Sequence, residues 1–298
     1  MTPSQSQIAG EPLPGSLLSF PDARERARLD ARSLPTPADI RTRDILDVPI
    51  AMTDYAQAMD VMDGMIARRE RGYVCVAAVH SVTLAKTDRV LRDAILGSSL
   101  TVPDGMPLVW AANMMGENLR DRVYGPELMR RYNERCRDHG HRVWLYGGRD
   151  QGSLAQLATN MHKTNPGMRI VGGYSPPFRP LTEAEEDELA GQINAARPDV
   201  LWVGIGVPKQ EKWMARMREK LDVPVMCGVG AAFDFLGGRV SQAPEWMQKR
   251  GLEWTYRIAQ EPRRLLPRYV YHNPRFMASL GRQLVTERRR QGSRLTRG

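Results

Sequence analysis

Short apolar segments alternate along this chain with longer segments whose apolar residues recur at helical spacing. Strands with so little polar alternation are typical of parallel sheets that helices cover on both faces. We therefore predict an α/β fold with a Rossmann-like, doubly wound, mainly parallel sheet. The segments that predict its strands are Tyr73–Val79, His141–Tyr146, Met168–Tyr174, Asp199–Ile205 and Pro224–Val229.

The segments between these strands carry the apolar period of amphipathic helices. Thr182 and Glu185 have the spacing of a capping box, which marks the start of one of them. The spacing predicts helices over residues 56–67, 81–96, 152–162, 182–196 and 209–220.

Three regions of different composition follow one another. Residues 1–43 are rich in Pro, Ser, Arg and Asp, which predicts a flexible leader with a short helix around Ala23–Arg32. Residues 44–238 form the predicted α/β core. Residues 239–298 form a basic C-terminal helical appendage, whose helices we expect to be interrupted at Pro244, Pro262, Pro267 and Pro274.

The composition is that of a globular protein. Of the 298 residues, 42% are hydrophobic and 26% are charged, which excludes wholesale disorder. No run of about 18 apolar residues occurs, and the first residues lack the pattern of a secretory signal, so we expect a cytoplasmic protein without a membrane-spanning helix. Cys75, Cys136 and Cys227 lie far apart and are expected to be reduced thiols in the core.

The net charge of +9 is concentrated in the appendage. Residues 239–298 contain 14 Lys/Arg and 4 Asp/Glu, whereas the rest of the chain is almost neutral. Such a local excess points to an anionic partner for this segment, which could be phosphate, anionic lipid or nucleic acid.

Five loops lie at the edge where open α/β sheets bind ligands, and four of them contain glycine. Glycine lets backbone amides approach a phosphate at the start of a helix, although a tight turn explains any single loop better. Five such loops together favour a ligand crevice, although no complete GxGxxG or P-loop motif occurs. The candidate binding residues in these loops are His80, Gly147, Gly148, Gly206, Lys209, Gln210, Gly230 and Asp234.

Asp104 lies between Pro103 and Gly105, in a loop that leads into a predicted helix. Its carboxylate fits two roles: the N-cap of that helix, or a base that accepts a proton from a substrate hydroxyl. Asp234 has the apolar neighbours AAFDFL and is expected to be buried and hydrogen-bonded. No His, Cys, Asp or Glu cluster has metal-ligand spacing, and no nucleophile elbow occurs, so we expect neither a metal nor another cofactor.

Five segments resemble the WecG/TagA/CpsF glycosyltransferases, in the same order and spacing, over roughly residues 45–275. They are TVPDGMPLVWAANMMG, RVYGPELM, VWLYGGRDQG, PDVLWVGIGVPKQEKWM and GVGAAFDFLGGRVSQAPEWMQKRGLEWTYRIAQEPRRL. The resemblance implies inverting transfer of a sugar from a UDP-sugar to a polyprenyl-diphosphate-linked acceptor, without an obligatory metal, at the inner face of the cell membrane.

The resemblance also implies roles for individual residues. Asp104, in the PDG loop, matches the catalytic base, and Arg122 and Gln210 match positions of the substrate pocket. Arg257 matches an arginine that the appendage directs towards the diphosphate, with Arg263 and Arg264 as further candidates. Because arginine is planar, permanently charged and matched to phosphate oxygens, it can stabilise a leaving diphosphate in place of a divalent metal.

One position departs from the family. Members commonly carry Thr-x-Asn at the end of the first strand, where this chain has Val76-Ala77-Ala78. Either His80 takes over the missing polar contact or the acceptor sugar differs, and an inactive transferase-like scaffold stays an alternative. The weaker alternatives are a nucleic-acid-binding protein, favoured by the basic tail, and a nicotinamide-dependent oxidoreductase. Association with copies of itself stays open, since a shared crevice and a monomer covered by its own tail both fit.

Overall fold

The computed structural model describes residues 33–244, 246–247, 251 and 253–295. The predicted leader, with its helix near residues 23–32, therefore lies almost wholly outside the described residues. The strands are β1 (Thr42–Ile45), β2 (Val48–Ala51), β3 (Gly72–Ala77), β4 (Leu100–Pro103), β5 (Arg142–Gly147), β6 (Arg169–Tyr174), β7 (Val200–Gly204) and β8 (Val225–Gly228). The helices are α1 (Tyr55–Arg68), α2 (Val79–Ala85), α3 (Arg89–Leu96), α4 (Met106–Met114), α5 (Gly125–His139), α6 (Gln151–Thr164), α7 (Glu183–Ala196), α8 (Lys209–Met217), α9 (Ala232–Leu236), α10 (Glu253–Gln260) and α11 (Pro262–Leu295).

Six strands form a parallel sheet in the order β4-β3-β8-β7-β5-β6. Every residue of β3 is buried, and its side chains alternate between two apolar clusters. Val74 and Val76 belong to one cluster, whereas Tyr73, Cys75 and Ala77 belong to the other. Helices therefore cover both faces of the sheet, which confirms the predicted doubly wound fold. Cys75, Cys136 and Cys227 are free and buried, as predicted.

The segment predicted as one helix over residues 81–96 forms two helices, α2 and α3. Asp88 interrupts it, because its side chain accepts a hydrogen bond from the Leu91 amide at 3.0 Å and caps α3. The predicted capping box at Thr182 is confirmed, since its hydroxyl accepts from the Glu185 amide.

A hairpin of β1 and β2 precedes the sheet. Its two-residue turn places both Leu46 and Asp47 at positive φ, 52° and 65°. The appendage holds this turn, because Gln283 of α11 accepts a hydrogen bond from the Leu46 amide at 2.9 Å and donates one to the Asp44 carbonyl at 2.8 Å.

The expectation that prolines interrupt the tail is wrong for α11, which continues through Pro267 and Pro274. Both prolines are exposed, so water can reach the backbone where a helical hydrogen bond is lost. On the other side of the helix, Phe276 and Leu280 are buried in a sheet cluster and hold it in place. No helix in the described part of the chain offers an apolar stretch long enough to cross a bilayer.

Candidate active site

A cleft of about 700 Å³ lies at the carboxyl ends of β3, β4, β7 and β8. Its floor includes Ala78, Asp104, Gly206 and Gly230, one residue from each of the loops that follow these strands. Helices α10 and α11 form its other wall, with Trp254, Arg257, Arg268, Tyr269 and His272. This volume is typical of a small-molecule site, and the predicted crevice therefore lies between the core and the appendage.

Asp104 follows β4 and is held by two backbone hydrogen bonds. Its amide donates to the Ala77 carbonyl at 2.8 Å, and its Oδ1 accepts from the Gly125 amide at the start of α5 at 2.9 Å. The N-cap of α4 is Gly105, so the interpretation of Asp104 as the cap of that helix is wrong. The second oxygen, Oδ2, makes no hydrogen bond to any described residue.

Burial raises the pKa of the Asp104 carboxyl, and the nearby Glu253 carboxylate acts in the same direction. Arg122, the Gly125 amide and Arg257 oppose this shift. A raised pKa makes a carboxylate a better proton acceptor near neutral pH than an ordinary aspartate. The raised pKa and the place of Asp104 in the cleft are the features on which a role as general base can be proposed.

Arg257 lies on α10 and lines the same cleft as Asp104. Its guanidinium carbon lies 5.3 Å from the centre of the Phe235 ring, and its Nε is buried without a partner among the described residues. Buried donors are rarely left unpaired, so this atom is a natural contact for a bound anion. The structure brings the two groups proposed for catalysis into one cleft.

Arg122 lines the cleft and also ties the appendage to the core. It forms an ion pair with Glu253 of α10, and both side chains are largely buried. Its guanidinium lies 4.4 Å from the centre of the Tyr124 ring. Burial lowers the pKa of Arg122, but the Glu253 and Asp104 carboxylates outweigh it and raise the pKa above its ordinary value.

His80 lies in the first turn of α2 and faces the appendage across the cleft. Its ring contacts the Arg268 guanidinium, and the centre of the His272 ring lies 6.1 Å away. Burial lowers the pKa of His80 well below its ordinary value, and the nearby Arg268, His272 and Arg257 side chains act in the same direction. The imidazole is therefore neutral at physiological pH.

The loops after β7 and β8 meet at Gln210. Gly206, at φ 80°, and Gly230, at φ 51°, have backbone conformations that favour glycine. The backbone N–H of Gln210 donates to the Gly206 carbonyl at 2.9 Å, and the Gln210 side chain lines the cleft. These three candidate residues therefore lie together.

Asp234 lines the cleft but is only half-buried, so the expectation of a buried aspartate is wrong. Its neighbours in the helix Ala232–Leu236 point into the core, whereas its own side chain faces Arg149, whose Nε lies 3.6 Å from Oδ1. A one-turn helix at the edge of a cleft can bury its apolar residues and still leave an aspartate partly exposed.

Other candidate residues do not line the part of the cleft that the described residues form. Gly147, at φ 143°, allows β5 to approach β7, and Gly148 packs near Ser153. Lys209 and Arg263 are exposed and are not among the residues that line the cleft. The side chain of Arg264 lies outside the described residues.

The sequence reasoning missed several residues of the cleft wall: Arg149, Glu253, Glu261, Arg268, Tyr269 and His272. A signal was present for some of them. Positions 257, 261, 268 and 272 share one face of a helical pattern, and Arg257 was already a candidate at its start.

Asp63, His139 and His141 form a cluster that their spacing in sequence did not reveal. The cluster lies by the amino end of β5, away from the cleft. The Asp63 carboxylate already accepts hydrogen bonds from the Tyr132 hydroxyl and from Arg135, both at 2.8 Å. Because these donors use its oxygens, we interpret the cluster as a buried hydrogen-bond network, and the expectation that the protein holds no metal stays a prediction.

The fold and the cleft define an α/β protein with a ligand site at the carboxyl ends of parallel strands, covered by a basic helical segment. Residues 43–290 match the sequence model of the glycosyl transferase WecG/TagA/CpsF family. The chain belongs to this family and is a glycosyltransferase, as the resemblance implied.

Curated relatives carry the name N-acetylglucosaminyldiphosphoundecaprenol N-acetyl-beta-D-mannosaminyltransferase. The protein from Bacillus subtilis (strain 168) is 26% identical over 224 residues, which cover 75% of this chain and 85% of that relative. The protein from Staphylococcus aureus (strain MRSA252) is 26% identical over 236 residues, which cover 76% of this chain and 90% of that relative.

Proposed function

We propose that this protein transfers a sugar from a UDP-sugar to a polyprenyl-diphosphate-linked glycan in the synthesis of a bacterial cell-surface polysaccharide or exopolysaccharide, with inversion at the anomeric carbon. The observation that carries the proposal is that Asp104 and Arg257 line one cleft of nucleotide-sugar size. The names of the relatives, which specify a diphosphoundecaprenol-linked acceptor, support the lipid-linked substrate.

In the proposed step, a hydroxyl oxygen of the acceptor attacks the anomeric carbon of the donor. The hydroxyl proton moves to Asp104, whose Oδ2 has no other hydrogen bond among the described residues. The bond from the anomeric carbon to the phosphate oxygen breaks, and its electron pair leaves with UDP. General-base assistance contributes roughly 10²–10⁴-fold, so stabilisation of the departing diphosphate must supply much of the rest.

Arg257 is the group best placed to stabilise that charge. Its Nε is buried without a protein partner among the described residues, so a diphosphate oxygen can satisfy it. The Arg122–Glu253 ion pair holds α10 against the core and thereby keeps Arg257 over the cleft. Gln210 and the glycines beside it would contact other parts of the donor.

We further propose that the appendage rests on the inner face of the cell membrane, where the lipid-linked acceptor resides. Helix α11 exposes the apolar side chains of Leu266, Val270, Tyr271 and Met277, and Trp254 is exposed beside the cleft. The positive charge of residues 239–298 suits an anionic lipid surface, to which each basic residue near the surface contributes about 1 kcal/mol.

The test is a donor screen that measures UDP release. A panel of UDP-sugars, including UDP-N-acetylmannosamine, is combined with a short-chain polyprenyl-diphosphate N-acetylglucosamine. We expect one donor to support turnover that depends on the acceptor, with the inverted anomer in the product. Binding of UDP without turnover for any donor and acceptor would favour the inactive scaffold, and a retained anomer would contradict the single displacement.

A further inference from the structure

Gln210 and Glu211 stand side by side in the first turn of α8, and each side chain is only 1% exposed. Gln210 lines the cleft, whereas Glu211 lies behind it. A buried carboxylate directly behind a cleft-lining amide needs an explanation, since burial of a charge is unfavourable unless its oxygens are satisfied.

The contact between these side chains determines which way the Gln210 amide faces. Its Nε2 donates to Glu211 Oε1 at 3.0 Å. This orientation suits the ionised form of Glu211, because a carboxylate only accepts hydrogen bonds. The Gln210 oxygen Oε1 is consequently directed away from Glu211, and it is buried without a partner among the described residues.

The glycines around Gln210 keep this arrangement open. At Gly228, an added Cβ would lie 2.9 Å from Gln210 Nε2 and 2.8 Å from the Met214 methyl group, so a side chain there would displace the amide. At Gly230, an added Cβ would lie 3.4 Å from Gln210 Oε1. Both glycines line the cleft, so the unpaired oxygen lies at its glycine-lined floor.

We propose that Glu211 is a positioning residue, which fixes the Gln210 amide so that Oε1 accepts a hydrogen bond from an N–H or O–H group of the nucleotide sugar. This inference rests on the proposed function, because that function supplies the ligand. The inference adds that the group recognised by Gln210 is a hydrogen-bond donor, and that Glu211 determines this preference by orienting the Gln210 side chain.

A purely structural role explains Glu211 less well. Its second oxygen, Oε2, is buried without a hydrogen-bond partner among the described residues. Burial raises the pKa of Glu211 to about 7, although its own amide, Gln210 and Arg268 oppose the shift. A carboxylate in this position weakens the fold at neutral pH, so its value to the protein lies elsewhere.

The test compares ligand affinity and stability in three variants. Glu211→Met keeps the side-chain length and removes the acceptor, whereas Glu211→Gln retains an oxygen that can accept from Gln210. Glu186→Met is the matched control, because Glu186 is also a buried helical glutamate, paired with Arg216 and outside the cleft lining. Calorimetry measures the Kd of UDP and of the donor sugar nucleotide from the screen, and thermal unfolding measures stability.

We expect Glu211→Met to weaken binding about tenfold, which is ~1.4 kcal/mol, without a lower Tm than wild type. Glu211→Gln should stay within about threefold of wild type, and Glu186→Met should bind normally. Weaker binding of UDP itself would place the N–H or O–H group that contacts Gln210 Oε1 on the nucleotide. Weaker binding of the sugar nucleotide alone would place that group on the sugar. Both results support the proposal. If Glu211→Met shows no cooperative unfolding transition, Glu211→Ala replaces it with the same expectation.

Unchanged affinity in Glu211→Met, or equal losses in Glu211→Met and Glu211→Gln that follow a lower Tm, would overturn this inference alone. A wild-type protein that binds no UDP ligand would overturn the proposed function and this inference with it.

Discussion

Replacement of Arg257 by glutamine should slow sugar transfer far more than it weakens the fold. The Arg257 guanidinium lines the cleft, and its Nε has no partner among the described residues, so the free enzyme loses mainly the contact with the Phe235 ring when the guanidinium is removed. The loss of one preorganised donor to a charge that develops in the transition state costs about 2.7–4 kcal/mol, a factor of roughly 10²–10³ in kcat. The kcat of Arg257→Lys should lie between those of wild type and Arg257→Gln, because lysine keeps the charge but not the bidentate geometry.

The assay is steady-state UDP release at saturating donor, together with thermal unfolding of each variant. Arg282→Gln is the matched control, since Arg282 is an exposed arginine of the same appendage that does not line the cleft. It should retain wild-type kcat. An Arg257→Gln enzyme within about threefold of wild type would refute the reasoning, as would a loss of rate matched by loss of folded protein.

Three further predictions concern the fold, its pH dependence and the membrane. Gly147→Ala should destabilise the protein by about 2–4 kcal/mol in chemical denaturation, because the φ of Gly147 is 143° and a Cβ there would lie 2.6 Å from a carbonyl oxygen of the neighbouring strand. The control is Gly140→Ala, at φ 68° with open space around it, which should cost only about 1–2 kcal/mol. Equal losses of stability in the two variants would contradict this prediction. The pKa of Glu211 is raised from 4.5 to about 7 in the folded state, so between these pH values the folded protein binds a proton that the unfolded chain has released, and the free energy of unfolding falls as pH rises. Glu211→Gln should therefore be more stable than wild type by on the order of 3 kcal/mol at pH 8, but by little at pH 4. A stability difference that does not depend on pH in chemical denaturation would contradict this prediction. Replacement of Arg288 and Arg289 by glutamine should reduce flotation with anionic vesicles and leave flotation with neutral vesicles unchanged, whereas equal flotation of both proteins would remove these residues from the proposed membrane contact.

The parallel sheet could be predicted from sequence because its signal is local and strong. The apolar run of Tyr73–Val79 became β3, whose residues are all buried, and the glycine loops lie at the edge of the sheet where ligands bind. The position of Asp104 after β4 follows from the same rule, because the carboxyl ends of parallel strands share one edge.

Other parts of the fold carry no such local signal. The turn at Leu46 and Asp47 has positive φ at both positions, a geometry that usually requires Asn-Gly or a similar pair. Contacts with the appendage hold it instead. The helix through Pro267 and Pro274 likewise persists because Phe276 and Leu280 are buried on its other side, and a propensity rule ignores tertiary packing.

The family resemblance was enough to predict that Asp104 and Arg257 contribute to one site, and both line the same cleft, but it did not predict the contacts that support them. Arg122 and Glu253 stand 131 residues apart, and neither position predicts the ion pair that joins core and appendage. The pair Gln210 and Glu211 is adjacent in sequence, but only the geometry distinguishes the cleft-lining amide from the carboxylate behind it.

We propose above all that the Asp104 carboxylate removes the acceptor proton in a cleft where a cation stabilises the leaving group. The most direct measurement compares UDP affinity and kcat of Asp104→Asn with those of wild type. Asparagine preserves the shape and an oxygen that can accept the Gly125 amide, so UDP should bind within about threefold of wild type while kcat falls by roughly 10²–10⁴. Turnover close to wild type, with UDP binding intact, would contradict the account.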